Sequence, residues 1–260
     1  MGTDRYAYAS KLRSLDPIPK LWLALGTLVC CLFCESIAVG LFTLALMGTL
    51  TAALGGVKGR VLLRFFRVPL AFLVIGCLTI VVRPIPTQEG ALWSAWLLGR
   101  FLWGITPEYL YLGVMVLCKA LGAIACMYFL SLNTPMTDLT AALERLHVPR
   151  LLVELMELIY RFIFVFADTA HRIRVAQESR LGYQGFSSSI RCLGELASVL
   201  FLRAWRQGDR VWCALESRGY TGALRTLPGT YEKGLWLYAA AAAAVGLQVL
   251  VLFAERRLVP

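Results

Sequence analysis

Charge is scarce in this chain: only 16 % of its 260 residues are Asp, Glu, Lys or Arg, against roughly 25 % in soluble domains. What fills the space is apolar, 58 % of the sequence, with mean hydropathy +0.67. Apolar runs this long and this numerous exclude a soluble core of that size and indicate a membrane protein. Histidine is limited to His147 and His171, and neither sits in a His/Cys/Asp spacing that closes a metal site. There is no Gly-Lys dipeptide, hence no Walker A phosphate cradle, so the chain is not expected to be an ATPase. No cleavable leader is expected, because residues 1–20 carry Arg5, Lys11, Asp16, Pro17 and Pro19 without an apolar core.

The eight cysteines lie mostly inside apolar runs, where Cys packs as a small hydrophobe, so no disulfide framework follows. Cys31-Leu32-Phe33-Cys34, next to Cys30, has the spacing of a thiolate pair but lacks a second pair, and packing is the expected role. Ser187-Ser188-Ser189 reads as a turn or helix cap, since no catalytic base accompanies it. The basic residues form no aromatic-interleaved face, which argues against a nucleic-acid partner.

The hydrophobic pattern predicts an all-α polytopic membrane protein with about five transmembrane helices, its bilayer contacts made by two blocks of the chain. Residues 1–132 hold four spans, at about 21–34, 36–54, 68–82 and 107–132; residues 234–260 hold the last span and a tail. The first two spans form a hairpin turning near Glu35. Residues 57–67, with Lys58, Arg60, Arg64 and Arg67 among apolar residues, read as a basic segment lying on the membrane surface. Residues 91–104, with Trp93, Trp96 and Trp103, are too short to cross and read as an interfacial or re-entrant helix on the outer face. Lys119, inside the fourth span, must face the bundle, snorkel or pair.

Between the spans lies a charged segment, residues 133–233, with 13 Lys or Arg and 10 Asp or Glu. Four basic residues in 1–20, four in 57–67 and these 13 put 21 of the 26 on one side, so the N-terminus and residues 133–233 are expected in the cytoplasm. Arg83, Arg100, Arg256 and Arg257 would then lie outside.

Thr134-Pro135 reads as a helix start, with Thr134 as cap and Asp138 in the first turn, and the helix runs to about His147. Residues 150–180 contain no Gly or Pro. At about 100° per residue, Glu154, Glu157, Arg161, Asp168 and Arg172 share an arc of about 60°. One polar stripe beside a wide apolar face suits a helix packed beneath other helices; the alternative is a span with this stripe facing a bundle interior. Glu157 and Arg161 are spaced as an i, i+4 pair.

A repeat marks two helix ends. Ala176-Gln177-Glu178-Ser179-Arg180-Leu181-Gly182-Tyr183 is echoed by Ala214-Leu215-Glu216-Ser217-Arg218-Gly219-Tyr220, the first with one extra residue before its Gly. Asp209 after Gly208 can cap the second helix, which makes it short, and Gly182 and Gly219 serve as stops. One Arg in a last turn is adequately explained as a complement to the helix dipole. Two copies of Glu-Ser-Arg before Gly-Tyr suggest a pair of matched docking points, for which the planar guanidinium fork is well suited.

At these residues the chain resembles the transmembrane T component of energy-coupling factor transporters, of the cobalt/nickel type called CbiQ. The resemblance runs over essentially the whole chain, and includes the sequence around Tyr160-Arg161-Phe162-Ile163-Phe164-Val165. It implies a non-catalytic coupling scaffold, without cofactor or resident metal, in a multi-pass bacterial inner-membrane importer for cobalt or nickel ions. The implied partners are two ATP-hydrolysing subunits, a substrate-binding CbiM-like membrane subunit and a small CbiN-like one. Ser179-Arg180 and Ser217-Arg218-Gly219 match the family's two Ala-Arg-Gly motifs, with Ser for Ala in both and Leu181 for Gly in the first, where Gly182 is expected to supply the turn. The charged segment's helices would carry nucleotide-driven motion. The alternative is a stand-alone carrier or membrane enzyme with a site near Glu35 and Lys119.

Overall fold

The computed structural model describes residues 2–85, 93–98, 101–222, 231–232 and 234–258. Their contacts divide the chain into two compact units, one formed by residues 1–135 and 230–260, the other by residues 136–229.

The first unit is a helical bundle. A short helix α1 (Gly2–Ala9) and a 3-10 turn (Lys11–Ser14) lead into α2 (Pro17–Phe33), α3 (Ile37–Ala53), α4 (Gly59–Val81), α5 (Pro107–Asn133) and, from the far end of the chain, α9 (Leu235–Leu258). α4, α5 and α9 are long and apolar enough to span a bilayer; α2 and α3 are shorter apolar helices of 17 residues each. The protein is an all-α polytopic membrane protein. Asp16 caps α2, and Ser36 caps α3 by accepting from the Val39 amide, so the hairpin turns at residues 34–36.

Small residues set the closest approach in this bundle. A Cβ on Gly40 of α3 would stand 2.7 Å from the Cys118 carbonyl carbon of α5, and one on Gly122 would stand 2.9 Å from the Gly40 oxygen. Glycine at both positions lets two backbones nearly touch, the usual device where lipid removes the hydrophobic drive for helix association. Around that contact Leu23, Met47, Cys126, Phe129 and Leu237 make a buried core. A polar cluster runs through it: the Gln248 amide of α9 donates to Thr43 Oγ1 of α3 at 2.7 Å and to the Thr27 carbonyl of α2 at 3.3 Å. Thr27 Oγ1 in turn lies 3.5 Å from Cys126 Sγ of α5, so four helices share one polar joint.

The structure departs from the sequence reading at several places. Residues 57–67 and 68–82 are not a surface segment and a separate span: the single helix α4 (Gly59–Val81) runs through both, with Pro69 inside. Pro69 cannot donate to the Phe65 carbonyl four residues earlier, and the Tyr128 hydroxyl of α5 donates to that carbonyl at 3.1 Å instead, which keeps the helix continuous. The described residues of 91–104 are not helical. They contribute strands β2 (Trp93–Leu98) and β3 (Phe101–Ile105) which, with β1 (Arg83–Ile85), make an antiparallel sheet in the order β1-β3-β2. The register pairs Leu98 with Phe101 and Arg83 with Gly104, with an irregularity between Ser94 and Leu97. Aromatic and apolar residues on either side of Gly99-Arg100 favour a strand pair over 14 residues of helix. Arg100, expected outside the cell, lies outside the described residues, as do 223–230 and Lys233 at the end of the charged segment.

The second unit contains α6 (Met136–Arg145), α7 (Arg150–Ser179) and α8 (Phe186–Glu216). Thr134 is not the cap of α6: its amide closes α5 on the Leu130 carbonyl, and its hydroxyl has no partner among the described residues. Asp209 does not start a short helix either, since α8 runs through Gly208 and Asp209 for 31 residues. A glycine inside a helix costs only about 1 kcal/mol, less than a break would lose.

Candidate functional site

The two repeat ends have the same backbone hydrogen bonding, built residue for residue. After α7, the Leu181 amide donates to the Glu178 carbonyl at 3.0 Å and the Gly182 amide to the Gln177 carbonyl at 2.9 Å. After α8, the Gly219 amide donates to Glu216 at 3.0 Å and the Tyr220 amide to Leu215 at 3.0 Å. Both are Schellman ends, which place a left-handed residue just beyond the helix end. Arg180 therefore matches Arg218, and Leu181 matches Gly219, with φ of 58° and 71°.

This alignment corrects the expectation that Gly182 supplies the first turn. The left-handed residue is Leu181 itself, and Gly182 has a different task. A Cβ at Gly182 would lie 2.7 Å from Cys192 Sγ and 3.0 Å from the Gln177 carbonyl oxygen. Gly182 is there for space and Gly219 for backbone conformation, since nothing lies within 4 Å of a Cβ at Gly219.

Each end is held by the tyrosine of its repeat. Tyr183 Oη donates to Gln177 Oε1 at 2.8 Å, and the Arg174 guanidinium sits 5.8 Å from the centre of its ring. Tyr220 Oη donates to Glu154 Oε2 at 2.7 Å, fixing the end of α8 to the start of α7. That bond to a carboxylate, with partial desolvation and the negative charge itself, pushes the Tyr220 phenol above its ordinary pKa. The sequence reading named neither tyrosine as a positioning residue, although both stood in the repeat as Gly-Tyr.

Arg180 and Arg218 are exposed, and neither guanidinium has an ion-pair or hydrogen-bond partner among the described residues. They flank α8, one before its first residue and one after its last, and its 31 residues make a rod of about 46 Å. Ser179 Oγ donates to the Val175 carbonyl at 2.9 Å and Ser217 Oγ to the Ala214 carbonyl at 3.1 Å, so both hydroxyls serve their own helices.

The polar stripe of α7 divides in two. Glu154 is buried against Tyr220, and Glu157 accepts from Thr140 Oγ1 of α6 at 3.1 Å. Arg161, Asp168 and Arg172 are exposed, and Asp168 pairs with Arg172 at 2.9 Å, one turn on. Glu157 and Arg161 form no ion pair among the described residues. The opposite face leaves Leu151, Leu155, Ile159 and Ile163 uncovered within this unit.

In the bundle, a cavity of about 390 Å³ at the α2–α3 turn is bordered by Glu35, Glu255, Cys34 and Tyr111 but not by Lys119. Cys30 Sγ lies 4.0 Å from Cys34 Sγ, while Cys31 turns to the Lys119 carbonyl at 3.8 Å. No group of three or more His, Cys, Asp or Glu residues fit to hold a metal ion occurs among the described residues.

Residues 9–228 match the model of the family described as CbiQ, cobalt transport protein. The cobalt transport protein CbiQ of Salmonella typhimurium is 29% identical over 85% of this chain and 97% of its own length. A fused cobalt transport protein, CbiMQ, from Methanocorpusculum labreanum is 31% identical over 85% of this chain, a match that spans 37% of the fusion. The energy-coupling factor transporter transmembrane protein EcfT of Staphylococcus aureus is 25% identical over 81% of this chain and 80% of its own length. A bundle of apolar helices, a two-ended charged helical unit and a match over most of the chain agree: this protein belongs to the CbiQ cobalt transport family of energy-coupling factor transmembrane components.

Proposed function

We propose that this chain is the coupling subunit of an ATP-driven importer of cobalt or nickel ions, in which Arg180 and Arg218 dock two ATP-hydrolysing subunits. The observation that carries this reading is the pair of matched helix ends, each presenting an exposed guanidinium without a partner among the described residues. A Schellman end holds the last residues of a helix in one conformation, so the Arg leaves it in a defined direction, and a planar fork then pairs with carboxylate or carbonyl groups in a partner's groove. The two ends lie before and after α8, a helix about 46 Å long, which suits two separate subunits better than one.

In this reading residues 133–233 and the N-terminus face the cytoplasm, following the basic-residue count. The uncovered apolar face of α7 and its stripe of Glu154, Glu157, Arg161, Asp168 and Arg172 carry nucleotide-driven motion toward a CbiM-like substrate-binding subunit, accompanied by a small CbiN-like one. A fused CbiMQ relative supports the first of these partners. The chain itself catalyses nothing and holds the transported ion only in company. The test is Arg218→Ala: truncating one side of a buried charge-assisted contact costs about 2–5 kcal/mol, so ATPase copurification and metal uptake fall together. Arg218→Lys rescues only in part, since a point charge does not reproduce the fork.

A further inference from the structure

Leu181 is a left-handed leucine, with φ of 58°. The matched position in the second end is glycine, and glycine would adopt the same backbone without strain. For a bulky L-residue this conformation is unfavourable and persists where the surroundings enforce it or the side chain is needed. Here the surroundings do not require a side chain: Leu181 is 65% exposed, and the space-limited residue of the turn is its neighbour Gly182. The strain therefore places an apolar side chain in solvent, directly after Arg180.

A second apolar residue stands nearby in sequence. Phe186, first residue of α8, is 85% exposed. It borders a groove of about 560 Å³ between α7 and α8, with Ile190, Leu193 and Tyr183 also on its walls. The Arg218 end has glycine in the left-handed position and open space beside it.

We infer that the two docking points are chemically unequal: the Arg180 end inserts Leu181, together with the guanidinium, into a groove of an ATP-hydrolysing subunit that offers an apolar pocket beside its acceptor for arginine. The Arg218 end engages its partner through the guanidinium alone. The occupant follows from continuity, because Leu181 is covalently next to Arg180 on the same turn and faces whatever covers it. This inference rests on the docking reading above. It gives that reading a polarity, as one subunit groove must discriminate for a leucine that the other does not need.

The test uses the full chain with both purified ATP-hydrolysing subunits in mild detergent, in an Arg218→Ala background so that retained ATPase reports the Arg180 end. Leu181→Ala and Leu181→Gly each lower that retention about tenfold or more, the loss expected when an otherwise buried leucine is truncated, and Leu181→Met keeps most of it. Leu181→Gly also melts at or above the parent temperature, because the strain is relieved, so its weaker assembly is not misfolding. If both truncations retain ATPase like the parent while Arg180→Ala loses it, the leucine has no docking role and the arginine reading stands alone. If Arg180→Ala also retains ATPase, both ideas fall.

Discussion

At the scale of single residues two tyrosine hydroxyls each make a prediction, Tyr220 at the Arg218 end and Tyr128 in the bundle. Tyr220→Phe removes the hydrogen bond that ties the Arg218 end to Glu154, leaving a buried carboxylate short of a donor. Limited proteolysis should then cut after α8 faster than in the parent, with α7 and its own end unaffected. The same bond makes a statement about pH. Because the phenol is held above its ordinary value, the contact is fully present below pH about 10 and is lost only as pH rises through the raised value; melting of the parent–Tyr220→Phe pair should therefore differ by the same amount throughout the neutral range. Tyr128→Phe orphans the Phe65 carbonyl opposite Pro69 and should cost about 1 kcal/mol, seen as a lower melting temperature. Tyr220 was visible in the repeat as a letter, but its partner Glu154 lies 66 residues away. A spacing pattern along one helix does not report which helix will lie across it.

Elements were legible where periodicity or punctuation decided them and illegible where two rules competed. The α2–α3 hairpin and the long α7 follow from apolar runs, a serine cap and the absence of Gly and Pro. The basic residues Lys58 to Arg67 misled because they read as a surface segment, and Gly208 because it is a helix breaker in isolation, a cost that the length of α8 outweighs. Residues 91–104 read as helix by hydropathy, whereas aromatic content and Gly99 carried the strand signal. Within the elements, glycines divide into those needed for backbone and those needed for space, and substitution separates them. Gly182→Ala drives a methyl against Cys192 and the Gln177 carbonyl, for an expected cost of about 1–3 kcal/mol. Gly40→Ala meets the backbone of α5 rather than a side chain, so thermal unfolding in detergent should show the larger loss there.

For the molecule as a whole, the account couples a bundle that needs lipid to a charged helical unit that needs partners. A cysteine introduced at Ser188, on a background without the eight native ones, should resist membrane-impermeant labelling of intact cells, as the basic-residue asymmetry requires; strong labelling from outside would reverse the topology. The central claim, that Arg180 and Arg218 are the points where ATP hydrolysis enters the transporter, is tested most directly by one paired measurement. Arg180→Ala, Arg218→Ala and the double variant are each expressed with the complete transporter, and copurified ATPase and cobalt uptake are measured side by side. The account predicts that each single variant loses much of both, that the double variant loses all uptake, and that every variant reaches the membrane at parental levels. Normal ATPase retention and normal uptake in both single variants would contradict it, leaving the two arginines as complements to the dipoles of their own helices.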